Sequence, residues 1–321
     1  METFAYQVAI GLNKTHPKKP ASFLFYGNSG VGKSEAAKAL PKILSKLTGR
    51  EYAEVLTDLN TFTEAHSVYR LTGAPPSYAG YDDPAVLENV SKNPNTVFIF
   101  DELDKAHPEV LKIFMAILDE GRCAARRESA DGTRELDFKN SILIFTSNHR
   151  LGSSPSKKKI GFTASDDVQD VRVNDNAVEV SYTAEHPEVE AGQVELTKRI
   201  YRETEAARKA FVETGVLREI ASRFGCFVGF KELSAEAKVR ILVKQILETG
   251  AEYNLRLTYI ASPILQALVD ASTSENALTV RSFKTVIEGY LAAAFAEAGT
   301  RYGGQAVRLE GTIEVPVLSP A

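Results

Sequence analysis

Hydrophobic positions along the chain follow two rhythms. Ser22-Phe23-Leu24-Phe25-Tyr26, Thr96-Val97-Phe98-Ile99-Phe100 and Ser141-Ile142-Leu143-Ile144-Phe145 are short continuous β-prone runs, the pattern of strands buried on both faces of a parallel sheet. Helical patterns separate them, at 35–47 despite Pro41 and at 108–120, where Val110, Leu111, Phe114, Ile117 and Leu118 share one face before Gly121 ends the helix. A further strand is expected at 54–57, short helices at 63–71 and 84–91, and a helical stretch at 196–221 interrupted by Gly215. The segment 222–230 contains the last strand of this unit. From Ser234 the pattern changes to three helices, 234–247 with Ser234 as cap, 262–271, and one running from Thr279 or Ser282 to about 298. The expected fold is α/β: a parallel-sheet large domain over 1–230, with an insert at about 152–195, then a small helical domain at 231–303. A tail at 304–321 alternates weakly and suits a hairpin or edge strand. Inside the insert, Val171, Val173, Val178 and Val180 repeat with period two, which predicts a short hairpin around Asn174-Asp175-Asn176.

Chemistry concentrates where the first strand meets the first helix. Gly27-Asn28-Ser29-Gly30-Val31-Gly32-Lys33-Ser34 has the spacing of a phosphate-binding loop. Glycines let the backbone turn tightly enough for its N–H groups to face phosphates, and the helix start adds free donors and a positive dipole end. In that role Lys33 reaches the β- and γ-phosphates of ATP and Ser34 ligates Mg²⁺. The second run ends at Asp101-Glu102, at the strand end where open α/β sheets bind ligands. Asp101 is placed to hold Mg²⁺ and Glu102 to polarise the attacking water. The third run leads to Thr146-Ser147-Asn148, and Asn148 is placed to orient that water or bind the γ-phosphate. Residues 73–83 are rich in proline and glycine and read as a loop. Its tyrosines serve either as buried anchors or as a contact for another chain.

Composition narrows the class. With 44% hydrophobic and 25% charged residues over 321 positions, the chain reads as an ordinary globular protein. A formal charge of −4 gives no global case for nucleic acid. The two distant cysteines, Cys123 and Cys226, suggest neither a disulfide framework nor a zinc site, and fit a reducing cytoplasm. Met1-Glu2-Thr3-Phe4 lacks a signal peptide's basic start, and no stretch approaches the length of a membrane span.

At these motifs the sequence resembles the AAA+ ATPases, and most closely the second, C-terminal ATPase module of the Clp-type unfoldases. The likeness extends through Glu64 to Tyr81, Asp101-Glu102-Leu103-Asp104-Lys105-Ala106-His107-Pro108, Asp119-Glu120-Gly121-Arg122 and Asp137-Phe138-Lys139-Asn140. It covers 20–150 well and 216–295 more loosely. The resemblance implies a homo-hexameric ring with ATP between subunits, acting on polypeptide. It makes Tyr78 the aromatic that grips an extended chain in the pore, although Ser77 replaces the family's glycine. It aligns Arg223 with the finger entering the neighbour's site, with Arg218 as a fallback, and Arg281 with the small domain's nucleotide sensor. For each lone arginine the plainer alternative is a surface salt bridge. Ile160-Gly161-Phe162 is similar to the tripeptide with which Clp unfoldases dock on a barrel peptidase; the alternative is an ordinary strand end. The isoleucine-glycine-glutamine signature before the phosphate loop is absent. The acidic stretch 166–195 lies outside the resemblance. A competing function is a DNA-acting AAA+ ATPase, such as a helicase loader or transposition regulator, with Arg126, Arg127 and Arg134 lining a pore.

Overall fold

The computed structural model describes residues 18–74, 83–125, 134–149, 170–174, 177–181, 193–214, 217–274 and 280–321. The chain divides into two compact units. One comprises Met1–Asn28, Gly32–Ala164 and Val189–Phe230; the other comprises Ser29–Val31, Ser165–Glu188 and Lys231–Ala321.

The first unit is built on five parallel strands: β1 (Ala21–Gly27), β2 (Ala53–Asp58), β3 (Thr96–Asp101), β6 (Ile142–Ser147) and β9 (Cys226–Phe230), in the order β2-β3-β6-β1-β9. A short antiparallel ribbon, β4 (Arg122–Ala124) with β5 (Glu135–Asp137), lies between β3 and β6 in the chain. Alternation along each central strand divides the core into two layers. Phe23, Phe25, Val97, Ile99, Ile142 and Ile144 face α1 (Lys33–Thr48), packing with its Ala37, Leu40 and Leu44. Leu24, Phe98, Phe100, Leu143 and Phe145 form the opposite layer. It contains two short helices, α2 (Val68–Thr72) and α3 (Asn89–Lys92), and the longer α4 (Pro108–Glu120) and α5 (Gln193–Thr214). Continuous apolar runs at the sequence level thus reflect helices on both faces of the sheet. His107 starts α4: its Nδ1 accepts the Glu109 N–H at 3.2 Å, with Pro108 in the first turn. Gly121, at φ 71°, ends it. A short helix, α6 (Arg218–Ala221), precedes β9.

Tyr26, on β1, packs edge-on against Phe211 at 5.4 Å. Burial pushes its phenol up from the usual tyrosine range, with the neighbouring Glu203 and Cys226 adding to the effect. Neither Cys123 nor Cys226 takes part in a disulfide.

The second unit corrects two expectations. It is not purely helical: α7 (Ala235–Glu252), α8 (Ser262–Ser274) and α9 (Val280–Tyr302) accompany a five-stranded sheet. Its strands are β7 (Asp170–Asn174), β8 (Ala177–Ser181), β10 (Arg256–Ala261), β11 (Ala306–Gly311) and β12 (Pro316–Pro320), in the order β12-β11-β10-β8-β7. The hairpin expected at 170–181 is present, pairing Asn174 with Ala177. It does not belong with the large unit, because β8 runs antiparallel to β10 and so completes the small unit's sheet. The tail forms the hairpin β11–β12. Buried Leu242, Ile246, Leu257, Ile260, Leu268, Phe283, Leu291, Phe295, Val307 and Leu309 join helices and sheet in one core.

Candidate nucleotide site

Backbone geometry prepares the loop. Gly27 ends β1 at φ 140°, and a Cβ there would stand 2.3 Å from the Phe230 carbonyl oxygen, so only glycine lets β9 lie alongside. Gly30 and Gly32 adopt φ 76° and 91°, which favour glycine. Gly32 caps α1 without a side-chain hydrogen bond. The first-turn N–H groups thus lack a side-chain cap, as an anion cradle requires.

Lys33 is 6% exposed, and its ammonium is held by oxygens. Nζ donates to the carbonyls of Gly27 at 2.9 Å and Asn28 at 2.7 Å, and to Asn148 Oδ1 at 3.0 Å. A phosphate placed in the loop would exchange neutral acceptors for charged ones, a stronger class of hydrogen bond. Asn148 uses its other amide atom as well: Nδ2 donates to Glu102 Oε1 at 3.1 Å. One side chain therefore connects the loop lysine to the acid of the neighbouring strand end.

Glu102 sits just beyond β3 in the left-handed region, at φ 58°, a conformation costing about 1–3 kcal/mol for a residue other than glycine. Three contacts hold this turn. The Glu102 N–H donates to Thr146 Oγ1 at 3.0 Å, the Lys105 N–H donates to the Glu102 carbonyl at 2.9 Å, and the Asn148 N–H donates to Asp104 Oδ1 at 3.2 Å. The Thr146 hydroxyl donates in turn to Asp101 Oδ1. Ser34 Oγ donates to both Asp101 oxygens, at 3.0 and 2.9 Å. A hydroxyl and a carboxylate meeting at the head of the phosphate loop supply hard oxygen donors of the kind Mg²⁺ takes.

Five residues that the motifs single out, Lys33, Ser34, Asp101, Glu102 and Asn148, are thus brought into one network. Two of its members, Thr146 and Asp104, lie within the same motifs, yet sequence reasoning assigns them no role. Register carries the signal for Thr146: β3 and β6 pair Phe100 with Phe145, which places the next residues, Asp101 and Thr146, at adjacent strand ends. Thr146→Val keeps the shape of a side chain that is 1% exposed and removes both of its bonds. Turnover of ATP is expected to fall about tenfold or more, since a hydrogen bond to a charged group is worth about 1.5–3 kcal/mol. Steady-state kinetics checks this, and a wild-type kcat would remove Thr146 from the network.

The remaining candidates fall outside this network. Arg223 Nε donates to Asp119 Oδ2 at 2.6 Å and Nη1 donates to the Glu219 carbonyl. Arg218 is exposed. Arg122 forms cross-strand ion pairs with Glu135 at 2.8 Å and Asp137 at 4.0 Å. Arg281 lies in the first turn of α9, and only its backbone is described. Tyr78 and Ile160-Gly161-Phe162 lie outside the described residues. Among the described residues no helix is long and apolar enough to cross a membrane.

Comparison with known proteins agrees with this architecture. Residues 18–223 match the family model described as AAA domain (Cdc48 subfamily). The chain is 45% identical over 158 residues to a chloroplastic ClpA homolog, an ATP-dependent Clp protease ATP-binding subunit, of Brassica napus; this is 48% of the chain and 17% of that protein. It is 41% identical over 156 residues to the Clp protease ATP-binding subunit ClpC of Staphylococcus aureus, again 48% of the chain and 18% of the relative. The chain thus spans less than a fifth of the length of these relatives. Among solved structures, a closed-state cryo-EM reconstruction of Hsp104 with ATPγS and FITC-casein shares the fold, with a TM-score of 0.63 and 23% identity, over 99% of this chain and 48% of that one. With its phosphate loop and acidic strand end inside the matched segment, the chain belongs to the AAA domain (Cdc48 subfamily) family of nucleotide-binding, ATP-hydrolysing domains.

Proposed function

We propose that this chain is the motor of a protein unfoldase, using ATP hydrolysis to draw polypeptide through the pore of a homo-hexameric ring. The observation that carries the reading is the Asn148 bridge, which ties the phosphate-loop Lys33 to Glu102. Identity of 45% and 41% with Clp protease ATP-binding subunits over 48% of the chain supports the choice of polypeptide as substrate.

In this mechanism the loop N–H groups and Lys33 hold the β- and γ-phosphates. Glu102, aimed by Asn148, takes a proton from the attacking water. The new bond forms to the γ-phosphorus as the bond to the β–γ bridging oxygen breaks, releasing ADP and phosphate. Ser34 and Asp101 would hold Mg²⁺, which when bound neutralises charge on the phosphates. Arg223 of one copy meets charge developing on the γ-phosphate in the next. Arg281 contacts the nucleotide in cis and reports its state to the small domain. Tyr78 grips substrate, a task suited to a flat amphipathic ring that demands no one sequence. Ile160-Gly161-Phe162 docks on a Clp-type barrel peptidase. Two cysteines outside any disulfide, Cys123 and Cys226, suit a reducing cytoplasm.

The test is ATP turnover of the wild type and Tyr78→Ala, with unfolded polypeptide and single-stranded DNA titrated in parallel. Polypeptide should stimulate the wild type and not the variant. Stimulation by DNA instead, lost at high salt, would replace this reading with a nucleic-acid motor.

A further inference from the structure

Asp119 occupies a position that its own helix disfavours. It stands in the last turn of α4 beside Glu120, at the negative end of the helix dipole, and no basic residue shares that turn. A distant part of the chain supplies the countercharge. Arg223 Nε donates to Asp119 Oδ2 at 2.6 Å, and Lys19 Nζ lies 4.0 Å from Oδ1. The far side of the guanidinium is held by backbone, Nη1 donating to the Glu219 carbonyl. Among the described residues Nη2 has no partner, and the side chain retains 31% of its exposure.

The backbone just beyond is equally constrained. Phe224 is 1% exposed and packs edge-on against Phe145 of β6 at 5.2 Å. Its carbonyl accepts from Arg208 Nη2 at 2.8 Å. The arginine therefore stands on a rigid base with two of its three nitrogens tied. A long side chain fixed this way has lost its rotamer freedom before any phosphate arrives, which is the condition for efficient electrostatic stabilisation.

We propose that Asp119 is a positioning residue, orienting the Arg223 guanidinium so that its Nη2 edge is presented to the nucleotide of a neighbouring copy. The proposal rests on the reading of Arg223 as a finger acting in trans. A plain surface ion pair has little effect on either stability or turnover, so the two accounts differ in what they expect.

The experiment mixes subunits. Asp119→Ala and the near-isosteric Asp119→Asn are each assayed alone and in equal mixture with Glu102→Gln; Arg223→Ala is mixed with Glu102→Gln in parallel. Alone, Asp119→Ala should lose about tenfold or more in kcat, a fraction of what an arginine finger contributes, with KM for ATP little changed. Asp119→Asn should lose less. The mixture of Asp119→Ala with Glu102→Gln should turn over faster than the mean of the two homogeneous proteins. In such a ring Asp119→Ala subunits keep a working site, and Glu102→Gln neighbours lend them a well-held finger. Loss of folding would not be repaired by mixing. Complementation by Arg223→Ala together with wild-type kcat in Asp119→Ala would overturn the positioning role and spare the finger. No complementation by Arg223→Ala would overturn both. An Asp119→Ala mixture that stays at the mean while Arg223→Ala complements would reduce Asp119 to a structural residue.

Discussion

Glu102→Gln is expected to lower ATP turnover by about 10²–10⁴-fold, the range a positioned general base contributes, while nucleotide binding persists. The substitution is close to shape-neutral here. The amide oxygen of glutamine still accepts from Asn148 Nδ2, so the bridge to Lys33 stays closed. The left-handed turn is held through the main-chain N–H and carbonyl of Glu102, which the change does not touch. What disappears is the carboxylate to which the proposed mechanism gives the proton of the attacking water. Phosphate release and titration with a fluorescent nucleotide separate the two effects. Turnover near the wild-type rate would remove Glu102 from the chemistry, and loss of binding would recast it as part of the phosphate cradle.

Phe145→Ala should unfold the first unit more readily than any single change at the site. Phe145 is fully buried on β6, with its ring 5.1 Å from Phe100, 5.0 Å from Phe114 and 5.2 Å from Phe224. Those contacts join β3, α4 and the turn that carries Arg223 to one strand. Truncating a core phenylalanine costs about 3–5 kcal/mol, and each kcal/mol lowers the melting temperature of a domain of this size by about 2–4 °C. Calorimetry should therefore show a fall of roughly 6–20 °C. The loss should also loosen Asp101 and Arg223 together, because the strand end and the arginine's turn share this ring as a floor. A melting temperature within a degree or two of wild type would mean that the aromatic layer repacks.

Much of this molecule is legible in its sequence. Strand runs at 22–26, 96–100 and 141–145 are continuous apolar segments, and both faces of the resulting sheet are covered. The phosphate loop is legible because its glycines answer a local backbone demand, φ 76° at Gly30 and 91° at Gly32. Less legible is β10. Its six residues, Arg256–Ala261, lie between two helices and show little alternation, and a strand is recognisable only when its neighbours are known. Those neighbours come from 177–181 and 306–311, far away in the chain on either side. Hence the hydrophobic pattern presents the small unit as helical and assigns the insert to the wrong partner.

The sequence alone determined the elements whose cause is local: helix periodicity, the Ser234 cap, glycine turns, and the order of motifs along the chain. It also determined which chemical groups stand at the ends of β1, β3 and β6. Tertiary structure decided the rest: that Asn148 touches both Lys33 and Glu102, that Thr146 links Asp101 to the Glu102 turn, and that Asp119 holds Arg223. The physical reason is range. Backbone preference and side-chain periodicity act over a few residues, whereas these bonds close separations of 44 to 115 positions and exist only once the parallel sheet has aligned its strand ends.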